Sequence, residues 1–145
     1  MRFRATIGWA AVALACATHA EPPPADVEHD PLLAELGAPL YARHCAACHG
    51  SDARGHGPAA RALRTPPPDL TAIAARRDGT FPSGIARFID GRFELPAHGT
   101  REMPVWGRRF GADVPDPGLG DAIARGNIAS LVEYLKSIQR RPNGS

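Results

Sequence analysis

Long hydrophobic runs and strand-like patterns are both missing from this chain of 145 residues. The mainly apolar stretch from Ala5 to Ala17 is shorter than the ~20 residues that a membrane-spanning helix needs. Runs of β-branched residues with alternating polarity are absent as well, which counts against a sheet. With 15 prolines and 15 glycines, much of the chain should be irregular between a few helices. The sequence therefore predicts one small all-α domain.

A large excess of charge of one sign is also absent. Removal of residues 1–20 would lower the count of lysine plus arginine from 17 to 15, which equals the 15 acidic residues. A balanced chain gives no support to nucleic-acid binding, which needs a basic surface. Strong steering of a partner by the whole-protein field is not expected either.

The first 20 residues have the pattern of an export signal, with Arg2 and Arg4 ahead of the apolar stretch. Two cleavage sites fit. Cleavage after Ala17 or Ala20 would be of the ordinary small-residue type, whereas the residues up to Cys16 resemble a lipobox that would leave Cys16 lipidated at the mature N-terminus. Both predict an exported, periplasmic protein, attached to a membrane only if Cys16 carries lipid.

The segment that follows, residues 21–31, is rich in proline and acidic residues. This composition predicts a flexible linker or a loose N-terminus. The folded domain is then expected over residues 32–141.

Cysteine is scarce, and two of the three cysteines lie in the pentapeptide Cys45-Ala-Ala-Cys48-His49. A thioredoxin-like redox pair requires a βαβ context, and a structural zinc site requires a second pair of ligands. A plain disulfide would leave His49 unexplained. The pattern Cys-x-x-Cys-His is typical of c-type haem attachment, in which each thiol adds to a vinyl group and the histidine reaches the iron. We therefore predict one covalent haem c, which agrees with export because this haem is attached outside the bacterial cytoplasm.

Methionine is rarer still, because Met103 is the only one outside the signal segment. Pro104 disfavours helical geometry at Met103, so the thioether should lie on a stiff, non-helical loop. A thioether is a soft, neutral ligand, and His/Met ligation raises the potential of a haem. We predict Met103 as the second axial ligand, with packing without ligation as the alternative and His98 as the competing ligand. The other histidines are less suitably placed: His29, His44 and His56.

Helical periodicity marks the two ends of the domain. Leucines from Leu32 to Leu40 predict a helix, but Pro39 is expected in the first turn of a separate helix near residues 38–47. Apolar residues from Ile128 to Ile138 predict a C-terminal helix with Asn127 as its N-cap.

The middle of the domain carries weaker signals. Short helical turns are predicted over residues 59–63 and 70–75, and a helix capped by Thr80 or Ser83 should run to about Asp90. Residues 91–125 are expected to be mostly loop.

These segments together resemble the bacterial class I cytochrome c family. Cys-Ala-Ala-Cys-His-Gly after a Leu-Tyr helix, Gly-His-Gly-Pro, Met-Pro-Val-Trp-Gly and a Leu-Val-Glu-Tyr-Leu helix follow one another over residues 33 to 139. The resemblance implies a small helical domain wrapped around one covalently bound haem, with its N- and C-terminal helices crossing. It implies Cys45 and Cys48 as thioether anchors, His49 as proximal ligand and Met103 as distal ligand.

The resemblance also implies contacts around that cofactor. Gly37 or Ala38 should meet Tyr134 where the terminal helices cross, although Pro39 departs from the family pattern and places this contact in doubt. A backbone carbonyl near Pro58 should accept the free N–H of the proximal histidine. The residues expected to line the haem are Tyr41, Pro58, Phe88, Val105 and Trp106, for which ordinary core packing is the alternative.

The function that these features predict is one-electron transfer and not enzymatic catalysis. Two filled axial positions leave no site for a substrate. Partners would be other redox proteins, one donor and one acceptor, met through a small transient interface. Arg101, Arg108 and Arg109 are interpreted as solvated loop charges, with a docking patch as the alternative. Two further hypotheses stay open: an open-site haem c protein such as a small peroxidase or gas sensor, and the cytochrome subunit of a larger dehydrogenase or oxidase.

Overall fold

This computed structural model describes residues 27–92 and 102–140. These residues contain five α-helices and three 3₁₀ turns. No strand occurs within those ranges, so the predicted all-α class is confirmed. None of the helices in the described part of the chain has the length and apolarity that crossing a bilayer demands. In chain order the helices are α1 Pro31–His44, α2 Ala46–His49, α3 Ile85–Asp90, α4 Trp106–Arg109 and α5 Pro117–Ser137, and the 3₁₀ turns are Ala60–Ala62, Leu70–Ala72 and Ala75–Arg77.

Helix α1 begins at a well-capped end. The carboxylate of Asp30 accepts hydrogen bonds from the backbone N–H groups of Leu32 and Leu33, at 2.9 and 3.2 Å, and Pro31 occupies the first turn. The helix then continues through Pro39, so the prediction of a separate helix near residues 38–47 is wrong. Proline removes one hydrogen bond of the helix, but packing of a whole face against α5 outweighs that loss.

The crossing of α1 and α5 depends on Gly37. A Cβ atom at this position would lie 2.7 Å from the carbonyl carbon of Ser130 and 2.8 Å from Cβ of Tyr134, so only glycine permits this approach. Next to it, the rings of Tyr41 and Tyr134 pack with centroids 5.1 Å apart. The crossing of the terminal helices and the predicted contact between Gly37 and Tyr134 are both confirmed.

Helix α5 starts much earlier than its periodicity predicts. Asp116 is the N-cap and accepts a hydrogen bond from the N–H of Leu119 at 2.7 Å, which leaves Asn127 inside the helix. The prediction of loop over residues 91–125 is therefore wrong where α4 and the first turns of α5 lie. The first turns of α5 are hard to predict from the sequence because they contain glycines, and glycine has low helix propensity. Gly120 and Gly111 are needed here, since a Cβ on Gly111 would overlap the backbone of Gly120.

The short elements of the middle segment follow the sequence more closely. Predicted turns at residues 59–63 and 70–75 are 3₁₀ turns within Ala60–Ala62 and Leu70–Ala72. Helix α3 ends at Asp90 as predicted, but its N-cap is Gly84 and makes no side-chain hydrogen bond, so neither Thr80 nor Ser83 caps it.

The buried core ties this middle segment to α5. Its apolar members come from α1, α3, α4 and α5, and the loop after α2 contributes Ala53. Gln139 is fully buried and donates to the carbonyl oxygens of Leu70 and Leu135 at 2.8 and 2.6 Å, while it accepts from the N–H of Ala74 at 2.9 Å. Segment 70–74 is thereby fixed against the C-terminal end of α5. The largest members of the core cluster are Tyr41, Ile89, Trp106, Ile128, Leu131 and Leu135.

Candidate functional site

One helical turn brings the residues of the pentapeptide together. Cys45 lies between α1 and α2, and its N–H donates to the carbonyl oxygen of Tyr41 at 2.9 Å. Its own carbonyl accepts from the N–H groups of Cys48 and His49, at 3.1 and 2.9 Å. Residues three and four apart on a helix share one side, so this spacing places two thiols and an imidazole on a common face.

The two thiols are free and are not joined in a disulfide. Burial, followed by the neighbouring Cys48, raises the pKa of the Cys45 thiol to about 11. The sulfur is therefore uncharged at neutral pH. A thioether is uncharged as well, so this environment fits the product of addition to a vinyl group.

The imidazole of His49 has one buried nitrogen without a hydrogen bond. Nδ1 has no partner of acceptable geometry in the part of the chain that the structure describes. Burial lowers the pKa of His49, and the backbone of Pro68 raises it in part. A neutral imidazole is the form that binds a metal.

The backbone group beside His49 belongs to Pro68 and not to the predicted Pro58, which is exposed. Sequence order favours Pro58 because it lies close to the motif. The chain instead folds back at residues 66–68, where three successive prolines form a stiff segment.

The loop after His49 closes tightly around α2. Backbone N–H groups of Gly55, Gly57 and Ala59 donate to the carbonyl oxygens of His49, Cys48 and Ala47, at 2.7, 3.1 and 2.8 Å. A Cβ on Gly57 would lie 2.6 Å from the carbonyl oxygen of Ala46, and one on Gly55 would overlap the carbonyl oxygen of Pro67. Gly55 also has φ of 86°, which favours glycine. This part of the predicted Gly-His-Gly-Pro motif therefore holds the attachment turn in place.

Met103 lies outside any helix, three residues before the start of α4, as the following proline predicts. Its exposed fraction is 38%. The carboxylate of the preceding residue, Glu102, accepts hydrogen bonds from the backbone N–H groups of Arg64 and Thr65 at 2.8 and 3.1 Å. The methionine segment is thus fastened to the chain that leads into the three prolines.

These features agree with a comparison of the sequence with known families. A family model for cytochrome c matches residues 34–139, which is most of the chain. The chain belongs to the cytochrome c family. Family membership means that it binds haem c covalently, that its chemistry is haem-based electron transfer, and that it exchanges electrons with redox partners. The free thiols at helical spacing, the neutral imidazole and the glycine cradle of this cytochrome fit that cofactor.

A zinc site is the alternative that the geometry of the cytochrome disfavours. Among residues 27–92 and 102–140, no group of three or more histidine, cysteine, aspartate or glutamate side chains is placed to hold a metal ion. This includes the two cysteines and the histidine of the motif.

The predicted pocket residues of the cytochrome fall into two groups. Tyr41 and Trp106 are 2% and 6% exposed and belong to one buried cluster, against which Cys45 packs. The hydroxyl of Tyr41 donates to the carbonyl oxygen of Gly50 at 2.7 Å and so fixes the end of α2. Phe88 is 41% exposed and Val105 is half-buried, so neither is part of the fully buried core.

An aromatic cluster lies next to the attachment motif and was not predicted from the sequence. The ring of His44 packs edge-on against Trp106 and Phe110, with centroids 5.3 Å away in both cases, and Trp106 stacks on Phe110. Arg109 lies over the Trp106 ring at 5.9 Å. The cluster joins the residue before Cys45 to the helix that follows Met103.

The remaining residues that the sequence singled out lie apart from this cluster. Arg108, His29 and His56 are exposed, and His98 and Arg101 lie outside the described residues.

An ion-pair network packs against α4, the helix that contains Trp106. Arg92 donates to both carboxylate oxygens of Asp90, at 2.8 Å each, and also pairs with Asp121 of α5. Hydrogen bonds from Arg92 lower the pKa of Asp90 against the opposing effect of burial. A Cβ on Gly107 would lie 2.5 Å from Nε of Arg92, so α4 packs directly on this network. Helices α3, α4 and α5 therefore meet at one charged contact, which sequence patterns gave no means of finding.

Proposed function

We propose that this cytochrome c is a one-electron carrier in which His49 and Met103 would hold the haem iron. When bound, the haem supplies a couple between Fe(III) and Fe(II). The observation that carries the proposal is the combination of a neutral, half-buried imidazole on the attachment turn with a thioether on a separate, non-helical segment. The role of the protein is to hold these two groups in position.

His49 is suited to its role by the environment of its two nitrogens. Nδ1 is buried without a hydrogen bond and the backbone of Pro68 lies beside the ring, so Nε2 would be the atom for the metal. A metal-bound histidine usually donates its other N–H to such a backbone oxygen, which fixes the orientation of the ring. The lowered pKa keeps protons from competing for the imidazole at neutral pH.

Met103 is suited to its role by its exposure. Methionine is among the residues most often buried, and as core filler it would be expected inside the helical cluster. Here 38% of the side chain is exposed and the segment is not helical. This favours ligation over the alternative of packing in the core.

The site of action is part of the same proposal. We place the cytochrome in the periplasm, with residues 1–20 as a signal, residues 21–31 as a linker and residues 32–141 as the haem domain. The signal and residues 21–26 of the linker lie outside the described residues. Export agrees with the family, because Cys45 and Cys48 must meet haem outside the bacterial cytoplasm.

The ligation is tested by the optical spectrum of the oxidised holoprotein. We expect a weak far-red sulfur-to-iron charge-transfer band that is lost in Met103→Ala and kept in His98→Ala, because only a thioether ligand produces it. Carbon monoxide should bind slowly to the reduced wild type and faster to Met103→Ala. A wild type without the band, or a band lost in His98→Ala alone, would contradict the proposal.

A further inference from the structure

The carboxylate of Glu102 makes an unusual contact for a loop residue, although the contact itself is exposed to solvent. Its two oxygens accept from two successive backbone N–H groups, Oε1 from Arg64 at 2.8 Å and Oε2 from Thr65 at 3.1 Å. Both oxygens are used, and in both bonds the acceptor is ionised, so each is charge-assisted. The contact joins positions 38 and 37 residues apart in the chain, so it is a tertiary link and not a local turn.

The segment to which Glu102 is hydrogen-bonded leads directly to the side of the site where His49 lies. Residues 64–65 are followed by three prolines, which form a rigid segment because each proline has a fixed φ. The carbonyl of Pro67 is in van der Waals contact with Gly55, and the backbone of Pro68 faces His49. One stiff stretch, residues 64–68, therefore touches the support of the histidine at one end and the methionine segment at the other.

The other side of Met103 is held independently. Pro104 and Val105 lead into α4, whose Trp106 is buried against Phe110 and His44. Met103 thus lies between a buried anchor on its C-terminal side and Glu102 on its N-terminal side. Loss of Glu102 would leave only one of these two attachments.

We propose that Glu102 is a positioning residue for the distal ligand: its carboxylate fixes the Met103 segment against the same stretch of chain that supports His49. This inference rests on the proposed His49/Met103 ligation. It assigns to Glu102 no contact with the haem. Its effect is on how firmly the thioether is held, and hence on how readily an external ligand displaces it.

The experiment compares full-length holoproteins carrying Glu102→Gln and Glu102→Ala with the wild type. Glutamine keeps one oxygen acceptor but places an N–H₂ group against one of the two backbone N–H groups, whereas alanine removes both bonds. Glu35→Gln is the matched control, because Glu35 is an exposed carboxylate on α1. Two quantities are measured: the rate of carbon monoxide binding to the reduced protein, and the midpoint of loss of the far-red band on heating, alongside the midpoint of loss of helical circular dichroism.

We expect the carbon monoxide rate to rise several-fold in Glu102→Ala, by less in Glu102→Gln, and not at all in Glu35→Gln. The far-red band should be lost at a lower temperature in the two Glu102 variants, while the helical transition stays near that of the wild type. Unchanged rates and band midpoints would overturn the proposal. So would a parallel fall of both midpoints, since that would mean a purely structural role.

Failure of the underlying ligation has a different signature. If the wild type lacks the far-red band, or Met103→Ala keeps it, then Met103 is not the ligand and both proposals fall. If the wild type shows the band and Met103→Ala loses it, only the role of Glu102 is at stake in the comparison.

Discussion

Gly57 packs so closely against the attachment turn that no side chain fits at this position. A Cβ there would lie 2.6 Å from the carbonyl oxygen of Ala46 and would overlap that of Ala47. Both obstacles are backbone atoms of the attachment turn, so they cannot rotate away. The glycine is needed for close approach and not for flexibility, because no positive φ is found there.

Gly57→Ala should therefore destabilise the holoprotein by about 2 kcal/mol, the usual cost of forcing an extra carbon into a packed site. The measurement is the midpoint of urea unfolding. Gly126→Ala is the control, because a Cβ at that position of α5 meets nothing within 4 Å. It should stabilise by ~0.5–1 kcal/mol through helix propensity. Equal midpoints for the two variants would contradict the packing of the glycine cradle.

The residues of the attachment site could be predicted individually because their geometry is local. One helical turn fixes Cys45, Cys48 and His49 relative to one another, and the spacing alone reveals it. The stretch of backbone beside His49 could not be predicted in this way. Pro68 reaches His49 only because the chain folds back against Gly55, and such a long-range contact leaves no pattern in one sequence.

At the scale of elements, Arg92 acts as a joint between α3 and α5. It holds Asp90 with two hydrogen bonds and also pairs with Asp121. The folded-state pKa of Asp90 lies below the unfolded value of 3.8. The stabilisation that this ion pair contributes is therefore present above that pH and is lost as the pH falls through the folded pKa.

Asp90→Asn should accordingly lower the free energy of unfolding at pH 7, because the charge-assisted bonds are lost while Arg92 stays. The difference from the wild type should shrink as the pH falls below the unfolded value of 3.8 and towards the lower folded pKa of Asp90, through which the wild-type carboxylate also loses its charge. Urea unfolding across this pH range measures it. Asp113→Asn, at an exposed position before α5, is the control and should leave the free energy of unfolding at pH 7 close to that of the wild type. A constant gap between Asp90→Asn and wild type at all pH values would contradict the ion-pair explanation.

The boundaries of the two long helices show where sequence patterns lose information. Pro39 lies within α1 because the face formed by Ala34, Gly37 and Tyr41 is buried against α5, and that burial is a tertiary effect. The first turns of α5 contain Gly118 and Gly120, which resemble a loop in a single sequence. The contact of Gly120 with Gly111 explains their presence, but it becomes visible only when both segments are placed in space.

For the whole molecule, the open question is whether the haem domain is tethered. If Cys16 is lipidated, the proline-rich residues between it and α1 would act as the tether. Cys16→Ser should then move the cytochrome from the membrane fraction to the soluble fraction of cells that express it. Lipid chains bind membranes through their buried CH₂ groups, so loss of the acceptor thiol removes the anchor.

Ala15→Ser, next to the same cysteine, provides a control for the effect of substitution in the signal segment. It leaves the thiol of Cys16 in place and should not release the protein. Identical fractionation of Cys16→Ser and wild type would show that the signal is of the ordinary, cleaved kind. The haem content of each fraction confirms that the export route was completed in both variants.

The crossing of α1 and α5 also has a consequence for folding. Gly37 meets Ser130, so this contact closes a long loop of chain. Closing such a loop costs conformational entropy, which burial between the two helices must offset. Cys45 and Cys48 follow α1 directly and lie inside this loop. A chain that reaches its place of haem attachment before the loop closes would therefore present both thiols without α5 packed on α1.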